Sequence, residues 1–226
     1  MIAVITQARM GSTRLPGKQL ADIGGKPMLQ RVIERVKRGP MLNEPAISSQ
    51  IVVATTENPQ DEVICQLATK CRVKYYRGSE EDVLDRFYQA AKLYQATTIV
   101  RICGDCPLID PQIINDALVF FIYGEYDYVT NRPSYLDGMD TEVFHYSTLD
   151  KAWRMAKSKY DREHVTPYMQ RDKRLKIGRM LYEINLPDLK VSVDEPKDLE
   201  LVRKVYRELG EYFCMEDILG ILGGSL

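Results

Sequence analysis

The sequence lacks the two features that would direct a protein to or across a membrane. No apolar run approaches the roughly 20 residues of a membrane-spanning helix, and the first residues lack the basic, apolar and small-residue pattern of a signal peptide. The five cysteines are an odd number, which argues against the disulfide framework of a small secreted protein. We therefore expect a cytoplasmic protein whose thiols are reduced.

An excess of charge of one sign is also missing. Lysine and arginine together number 31, aspartate and glutamate number 32, and the net charge is −1. This balance gives no reason to expect nucleic acid or an anionic membrane as a partner, so any cationic site must be local. The sequence also contains no evident linker, internal repeat or low-complexity tract, and we expect its 226 residues to form a single domain.

What the sequence does contain is an alternation of two hydrophobic patterns. Short apolar or β-branched runs predict strands at residues 2–6, 51–55, 73–76, 98–103, 126–130 and 189–193. Helical periodicity predicts amphipathic helices whose apolar faces begin at Met28, Val83, Ile113 and Leu199. Asp110 is the expected cap of the third helix. The alternation indicates an α/β fold with a mostly parallel sheet.

Residues from about 125 to 190 break this alternation. We expect a β-containing insertion there, with antiparallel character at 176–185, that serves acceptor binding or dimerisation within the single domain.

The loop after the first predicted strand has the composition of a phosphate site. It reads QARMGSTRLPGK (7–18), in which Gly11 and Gly17 bracket a segment that also carries Arg9, Arg14 and Lys18. Glycines let backbone N–H groups approach an anion, and Arg and Lys supply charge. Ligands of parallel α/β sheets bind at the carboxyl ends of strands, where this loop begins. The alternative is a turn with solvated cations, which does not explain why the loop directly follows a buried strand.

The spacing of this loop excludes two familiar nucleotide-binding motifs. A Walker loop needs four residues between its glycines and a Ser or Thr after the lysine. Here five residues separate Gly11 from Gly17, and Gln19 follows Lys18. The dinucleotide fingerprint G-x-G-x-x-G is absent as well.

Two aspartates follow predicted strands. Asp105 comes just after the run at 98–103, and Asp194 comes just after the run at 189–193. One or two carboxylates together with substrate phosphates are the usual ligands of Mg²⁺, so the pair predicts a Mg²⁺ site beside the cationic loop. As alternatives, Asp194 could cap the helix that starts near Pro196, and Asp105 could be a turn residue.

Four stretches taken together resemble one enzyme family. They are ARMGSTRLPGK (8–18), RICGDCPLIDP (101–111), DGMDTEVF (137–144) with EHVTPY (163–168), and VSVDEPKDLELVR (191–203). In this order they resemble the cytidylyltransferases that activate acidic sugars, the acylneuraminate and 3-deoxy-manno-octulosonate enzymes. The closest resemblance is to the branch named after the spore coat polysaccharide biosynthesis protein F.

The resemblance implies a fold and a reaction. The fold is the Rossmann-like nucleotide-diphospho-sugar transferase fold. The reaction is a Mg²⁺-dependent transfer from CTP to a sugar or sugar acid, which gives a CMP-sugar and pyrophosphate for surface polysaccharide biosynthesis. Members of the family form homodimers through the segment after residue 125. The aromatic stretch at 120–129 suits such an interface, and core packing is its alternative explanation.

The resemblance also implies roles for particular residues. The catalytic residues are Arg9, Arg14, Lys18 and Asp105, and the metal ligands are Asp105 and Asp194. The nucleotide is bound by Ala8, Arg9, Gly11, Ser12, Arg14, Lys18, Gly78, Ser79 and Gly104. The acceptor is bound by Asp137, Asp140, Glu142, Glu163 and His164. Ser79 has a second interpretation as a helix N-cap, and His164 has one as an ordinary helix-surface or core histidine.

Position 103 departs from the family pattern. The 3-deoxy-manno-octulosonate enzymes carry a glutamine there that helps to read cytosine, whereas the thiol of Cys103 lacks the paired donor and acceptor of an amide. A different nucleoside triphosphate is therefore an alternative to CTP. The spacing of Cys103 and Cys106 also allows a thiol redox protein, and the fold allows a non-catalytic nucleotide-binding module.

Overall fold

A mostly parallel sheet forms the centre of the molecule in the computed structural model, which describes residues 1–182 and 189–223. The strands are β1 (Ile2–Gln7), β2 (Asp22–Ile23), β3 (Lys26–Pro27), β4 (Ser49–Thr56), β5 (Lys74–Gly78), β6 (Thr98–Cys103), β7 (Tyr128–Thr130), β8 (Glu142–His145) and β9 (Ile177–Arg179). β2 and β3 pair with each other outside the main sheet.

Helices cover both faces of the main sheet. They are α1 (Met28–Val36), α2 (Glu62–Lys70), α3 (Val83–Leu93), α4 (Pro111–Tyr123), α5 (Tyr146–Met155), α6 (Lys159–His164), α7 (Pro167–Arg171), α8 (Pro196–Leu209) and α9 (Met215–Gly223), with short 3₁₀ helices at Lys18–Leu20, Met41–Asn43 and Pro59–Asp61. Asp110 accepts the N–H of Gln112 and caps α4, which confirms the prediction.

The strand order in the main sheet is β5-β4-β1-β6-β8-β7-β9. The first four strands in this order are parallel to one another, and β8 is antiparallel to β6 and β7. The predicted mostly parallel sheet with a β-containing insertion is therefore confirmed. Because β1 and β6 are neighbours, the loops that follow them lie side by side.

The antiparallel prediction for residues 176–185 is wrong for the part that the structure describes. β9 pairs with β7 in parallel, with Ile177 opposite Tyr128. β8 ends and β9 begins at the same end of the sheet, beside Tyr128, so β9 runs antiparallel to β8 and in the direction of β7. Residues 183–185 of this prediction lie outside the described residues.

The apolar run at 189–193 is not a strand of the main sheet. It makes one isolated bridge, between Lys190 and Asp137. Val191 and Val193 are buried in a cluster with residues of α8 instead of pairing with a neighbouring strand. A short apolar run indicates burial but does not identify what buries it.

Both faces of β1 are buried. Ala3 and Ile5 pack in the layer that contains α3 and α5, whereas Ile2 and Val4 pack in the layer that contains α1 and α4. Burial on both faces explains why the parallel strands are nearly continuous apolar runs. Among the helices of the described residues, none combines the length and the hydrophobicity required to cross a membrane.

Candidate active site

A cavity of about 490 Å³ opens at the carboxyl ends of β1 and β6. The predicted site residues that line it are Ala8, Arg9, Ser12, Arg14, Lys18, Gly104, Asp105, Glu163, His164 and Asp194. The other lining residues are Gln7, Thr13, Gln19, Glu80, Glu81, Val83, Arg86 and Lys159. The predicted site residues that are not part of the lining are Gly11, Gly78, Ser79, Asp137, Asp140 and Glu142.

The loop between β1 and the 3₁₀ helix at Lys18–Leu20 is held by its own backbone. The carbonyl of Met10 accepts hydrogen bonds from the N–H groups of Ser12 at 2.9 Å and Gly17 at 3.0 Å. Gly17 has a φ of 72°, in the left-handed region that glycine adopts without strain. The buried carboxylate of Asp61 accepts the N–H of Met10 at 2.7 Å. These contacts hold the cations of the loop around one cavity.

Lys18 extends into the cavity and joins the two predicted metal ligands. Its Nζ donates to Asp194 Oδ1 at 3.1 Å and to Asp105 Oδ2 at 3.3 Å. It also donates to the carbonyl of Val193 at 2.6 Å. Lys18 is 8% exposed, so its ammonium is largely removed from water. The structure thus brings the loop lysine and both aspartates together.

Asp194 lies among three cationic side chains. Besides Lys18, its carboxylate contacts Arg14 Nη2 at 2.8 Å and Lys190 Nζ at 2.8 Å. Burial by itself raises the pKa of Asp194, but the hydrogen bonds from Lys190 and Lys18 outweigh burial and hold this pKa below its ordinary value. The carboxylate is therefore ionised at neutral pH.

Asp194 is not the cap of α8. Glu195 is the N-cap, and Asp198 accepts the N–H of Glu195 to complete a capping box. Asp198 also accepts the backbone N–H of Asp194 at 2.9 Å. The alternative interpretation of Asp194 as a helix cap is therefore wrong, and its side chain faces the cavity.

Asp105 reaches the cavity because the chain turns sharply after β6. Gly104 donates its N–H to the carbonyl of Gln7 at 3.2 Å, and a Cβ at position 104 would lie 2.3 Å from that oxygen. Only glycine fits so close to the end of β1. The carbonyl of Asp105 accepts the N–H of Val193 at 2.8 Å, which ties the segment before Asp194 to this turn.

The two aspartates fit a divalent cation of the Mg²⁺ type. One carboxylate oxygen of each lies within 3.3 Å of a single positively charged nitrogen, that of Lys18. The pair is thus arranged around a central positive charge. Two carboxylates with phosphate oxygens and water form a usual ligand set for Mg²⁺. The side chains of Asp105 and Asp194 are 34% and 15% exposed, and both border the cavity.

The other two loop cations make contacts that a polyphosphate can replace. Arg9 pairs with Glu80 at 2.8 Å, and both side chains are well exposed. Arg14 is 61% exposed where it meets Asp194. Exposed ion pairs contribute about 0–1 kcal/mol to stability, so exchanging such a partner for a phosphate requires little free energy.

Gly78 and Ser79 are not part of the cavity lining, but both contact Arg86, which is. A Cβ at Gly78 would lie 3.4 Å from the Cγ of Arg86, and the carbonyl of Ser79 accepts from Arg86 Nη1 at 2.8 Å. The interpretation of Ser79 as a helix N-cap is wrong. Asp82 caps α3 by accepting the N–H of Asp85, and Ser79 accepts the N–H of Asp82 in the turn before the helix.

The predicted acceptor residues divide into two groups. Glu163 and His164, at the end of α6, line the cavity. Asp137 instead accepts the hydroxyl of Ser192 at 2.9 Å and so supports the segment that carries Asp194.

Asp140 and Glu142 are engaged inside the protein. Glu142 is 2% exposed, and its carboxylate is bonded to the side chains of Arg101, Tyr128 and Thr166. Asp140 lies 3.4 Å from Arg132, and burial raises the pKa of Asp140 to about 6. The structure does not bring these two carboxylates to the lining of the cavity.

Cys106, the second cysteine of the C-x-x-C pair, is a buried thiol. A hydrogen bond with Cys103 and burial raise the pKa of Cys106 well above its ordinary value, and Cys106 is 2% exposed. A redox-active pair needs an accessible thiol of low pKa. Cys106 has neither property, so a redox role would depend on the thiol of Cys103.

Several residues of the site were missed by sequence reasoning, among them Gln19, Arg86 and Lys190. Arg86 and Gln19 are 2% and 3% exposed. Arg86 left a signal, because an arginine that falls between Val83 and Phe87 lies on the apolar face of a helix. Gln19 left no such signal.

A second cleft, of about 520 Å³, lies at the amino ends of β4 and β5. Lys37, Arg72 and Lys74 border it, and none of the described residues in its lining carries a carboxylate. Ligands of parallel sheets bind at the carboxyl ends of the strands. The cavity beside β1 and β6 is therefore the better candidate.

Comparison with known proteins relates nearly the whole chain to one family. The family model described as cytidylyltransferase matches residues 3–215. Spore coat polysaccharide biosynthesis protein SpsF of Bacillus subtilis is 31% identical over 216 residues, which cover 93% of this chain and 88% of that protein. An uncharacterised protein of Methanocaldococcus jannaschii is 38% identical over 220 residues, which cover 95% of this chain and 85% of that protein.

A solved structure agrees with these sequence comparisons. The structure of a cytidylyltransferase from Leptospira borgpetersenii has a TM-score of 0.91 and 32% identity, and covers 99% of this chain and 94% of that one. The resemblance seen in four motifs and the predicted Rossmann-like fold are both confirmed.

Proposed function

The chain belongs to the cytidylyltransferase family of nucleotidyltransferase enzymes, and we propose that it transfers a cytidylyl group from CTP to a sugar or sugar acid. The products are a CMP-sugar and pyrophosphate. The observation that carries the proposal is the ammonium of Lys18, which joins Asp105 to Asp194 within the cavity of the glycine-containing loop. A triphosphate and its metal need cationic groups and carboxylate ligands in one place.

The loop cations bind the triphosphate and stabilise the leaving group. An acceptor hydroxyl oxygen forms a bond to the α-phosphorus and releases its proton to water. The bond to pyrophosphate breaks, and negative charge builds up on the departing group. Arg9, Arg14 and Lys18 neutralise that charge. Such a reaction depends on positioning and electrostatics more than on covalent chemistry by the protein.

Asp105 and Asp194 would hold Mg²⁺. When bound, this ion supplies Lewis-acid polarisation of the phosphate. The lowered pKa of Asp194 keeps that ligand ionised at neutral pH. The N–H of Val193 donates to the carbonyl of Asp105, and this hydrogen bond holds together the two backbone segments that carry the ligands.

Glu163 and His164 bind the acceptor. They line the cavity together with Lys159 of the same helix, and carboxylate, imidazole and ammonium groups all form hydrogen bonds with sugar hydroxyls. The name of the Bacillus relative refers to spore coat polysaccharide biosynthesis. We accordingly place this chain in a cytoplasmic step of surface polysaccharide biosynthesis.

A homodimer is part of the proposal. Within residues 120–129, Tyr128 is fully buried, whereas Ile122 is 48% and Tyr123 is 84% exposed. Tyr123 and Leu181 border the same shallow apolar depression. An exposed apolar surface of this kind suits contact with a second copy of the chain.

A pyrophosphate-release assay tests the proposal. The protein is incubated with Mg²⁺ and each of the four nucleoside triphosphates against a panel of sugars and sugar acids. We expect release with CTP and at least one acceptor, and no release from Asp194→Asn. Asp22→Asn, at an exposed position of β2, is the matched control and should retain activity. CTP binding without release would favour a non-catalytic nucleotide-binding module, and failure to bind any triphosphate would contradict the proposal.

A further inference from the structure

The backbone turns sharply directly after Glu163 and His164, the two cavity-lining residues at the end of α6. Val165 has a φ of 71° and a ψ of −57°, and the N–H of Thr166 donates to the carbonyl of His164 at 2.9 Å. These dihedral angles and this hydrogen bond define a γ-turn of the positive-φ type, which is rare and strained. The β-branched side chain of Val165 makes a positive φ more unfavourable still.

Packing and a buried hydrogen bond hold this γ-turn in place. The side chain of Val165 is fully buried and packs among residues of α3, α5 and α7. Thr166 is 3% exposed, and its hydroxyl donates to Oε1 of Glu142 at 2.8 Å. A strained backbone conformation persists only where the surrounding structure fixes it. The hydrogen bond from Thr166 is the polar part of that restraint.

Glu142 is a rigid acceptor for this hydrogen bond. Its carboxylate also bonds to the side chains of Arg101, Tyr128 and Gln170, and Arg101 lies opposite Glu142 where β6 pairs with β8. Burial by itself raises the pKa of Glu142, but the charge of Arg101 and the hydrogen bonds outweigh burial and hold this pKa below its ordinary value. The central sheet therefore presents an ionised carboxylate, which accepts a stronger hydrogen bond than a neutral group does.

Another face of α6 meets the cavity. Lys159 and Glu163 line the cavity one helical turn apart, and the ring centroid of His164 lies 4.5 Å from that of Tyr160. Glu163 and His164 are both exposed, so burial does not fix their side chains. Their placement depends on the backbone that carries them, and groups that bind a substrate lose much of their effect when they are displaced by about 1 Å.

We propose that Thr166 is a positioning residue for the acceptor. Its hydrogen bond to Glu142 maintains the γ-turn at Val165. That turn sets the positions of Glu163 and His164, which bind the acceptor in the proposed function, so the inference rests on that function. Glu142 therefore acts on acceptor binding through Thr166, without contact with the sugar.

Steady-state kinetics of Thr166→Val test this role. Valine has nearly the shape of threonine but lacks the hydroxyl that reaches Glu142. The acceptor is the sugar of the panel that supports the fastest pyrophosphate release from CTP. We expect its KM to rise about 10-fold, the effect of losing one hydrogen bond. The kcat and the affinity for CTP should not change, because the substitution removes binding of the acceptor only.

Two further variants separate positioning from stability. Thr166→Ser keeps the hydroxyl and should have a KM close to that of the wild type. Thr148→Val is the matched control, because Thr148 is 4% exposed, donates its hydroxyl to the carbonyl of Asp127 at 3.2 Å and is not part of the cavity lining. We expect Thr148→Val to lower the thermal midpoint, as Thr166→Val does, and to leave the KM unchanged.

The strained turn has a test that needs no substrate and that applies even if Thr166→Val does not fold. Glycine adopts a positive φ without strain, so the thermal midpoint of Val165→Gly should equal or exceed that of Val165→Ala. Val202 is fully buried within α8, where alanine is more favourable than glycine. Val202→Gly should therefore have a lower midpoint than Val202→Ala. The same order at both positions would overturn the inference.

The kinetic outcomes separate this inference from the proposed function. An unchanged KM in Thr166→Val, or an equal rise in Thr166→Ser or Thr148→Val, would overturn the role of Thr166 alone. If no sugar of the panel supports pyrophosphate release from CTP, the proposed function fails and this inference fails with it.

Discussion

Lys18 and Asp194 are 176 residues apart in the sequence, yet the Nζ of Lys18 lies 3.1 Å from Oδ1 of Asp194. The contact joins the loop after β1 to the segment before α8. Because Lys18 is 8% exposed, solvent screens the interaction only weakly. The cationic loop and the carboxylates therefore form one electrostatic unit.

Replacing Lys18 with methionine should weaken both the fold and triphosphate binding. The substitution removes the shared ammonium from two carboxylates, and a buried group left without its partner costs about 1–3 kcal/mol. We expect a lower thermal midpoint that Mg²⁺ partly restores, because the ion replaces the missing charge. Thermal unfolding with and without Mg²⁺ measures both effects. Lys197→Met, at an exposed position of α8, should show neither, and a Lys18→Met midpoint equal to that of the wild type would contradict the account.

Replacing Gly104 with alanine should push apart the ends of β1 and β6. The new Cβ would lie 2.3 Å from the carbonyl oxygen of Gln7, so the backbone must shift, and we expect a loss of stability on the order of 2–4 kcal/mol. Equilibrium unfolding in urea measures the change. In Gly220→Ala the new Cβ meets open space within α9, and the variant should gain about 0.5–1 kcal/mol. Similar stability changes in the two variants would argue against the close approach at Gly104.

Asp140 should make stability fall as the pH rises through the weakly acidic range. Burial raises the pKa of Asp140 from 3.8 to about 6, so the folded protein binds this proton more tightly than the unfolded chain does. The protonated Asp140 carboxyl contributes to the free energy of unfolding. This contribution is fully present below pH 3.8 and is lost as the pH rises through about 6. The total change is about 3 kcal/mol at 1.36 kcal/mol per unit of pKa.

Asp140→Asn should remove that pH dependence. Urea unfolding from pH 4 to pH 8 should show the wild type losing stability relative to the variant up to about pH 6 and a constant difference above it. Asp116→Asn, which changes an exposed aspartate, should follow the wild type throughout. Parallel curves for wild type and Asp140→Asn would show that the Asp140 carboxyl is not perturbed.

Tyr123→Glu should shift the proposed dimer toward monomer. Tyr123 is 84% exposed beside a shallow apolar depression, and a charge there opposes burial against a second copy. Sedimentation velocity over a range of protein concentrations measures the association. Leu93→Glu, at the exposed end of α3, is the control and should associate like the wild type. A monomeric wild type, or a Tyr123→Glu dimer as tight as that of the wild type, would refute the proposed interface.

The first half of the fold was predictable because local pattern and tertiary environment agree there. The run at 98–103 coincides with β6 and is buried on both faces of the sheet. Asp110 caps α4 as its position before Pro111 indicates. Where strands alternate with helices, the connections are short. Consecutive elements of the chain therefore pack beside one another.

The segment before Asp194 was less predictable, because burial does not specify a partner. Val191 and Val193 are as apolar as strand residues but pack with α8. Asp194 reaches Asp105 through the hydrogen bond between Val193 and the Asp105 carbonyl, not through adjacent strands. The structure places both aspartates beside Lys18 of the cationic loop, although the predicted strand at 189–193 is not part of the main sheet.

Part of the cavity lining could not be located from the sequence alone. The resemblance directs attention to Gly78 and Ser79, whereas the side chain that they seat, Arg86, is the one that lines the cavity. The Nε of Arg86 and the side-chain oxygen of Gln19 lack hydrogen-bond partners within residues 1–182 and 189–223, which only the positions of neighbouring atoms can reveal.

The affinity of CTP measured as a function of Mg²⁺ concentration tests the central claim most directly, namely that Lys18, Asp105 and Asp194 form one site for a nucleotide and its metal. We expect the wild-type protein to bind CTP more tightly as Mg²⁺ increases, and Asp105→Asn to lose this dependence. A CTP affinity that Mg²⁺ does not change in the wild type, or that Mg²⁺ increases equally in Asp105→Asn, would contradict it.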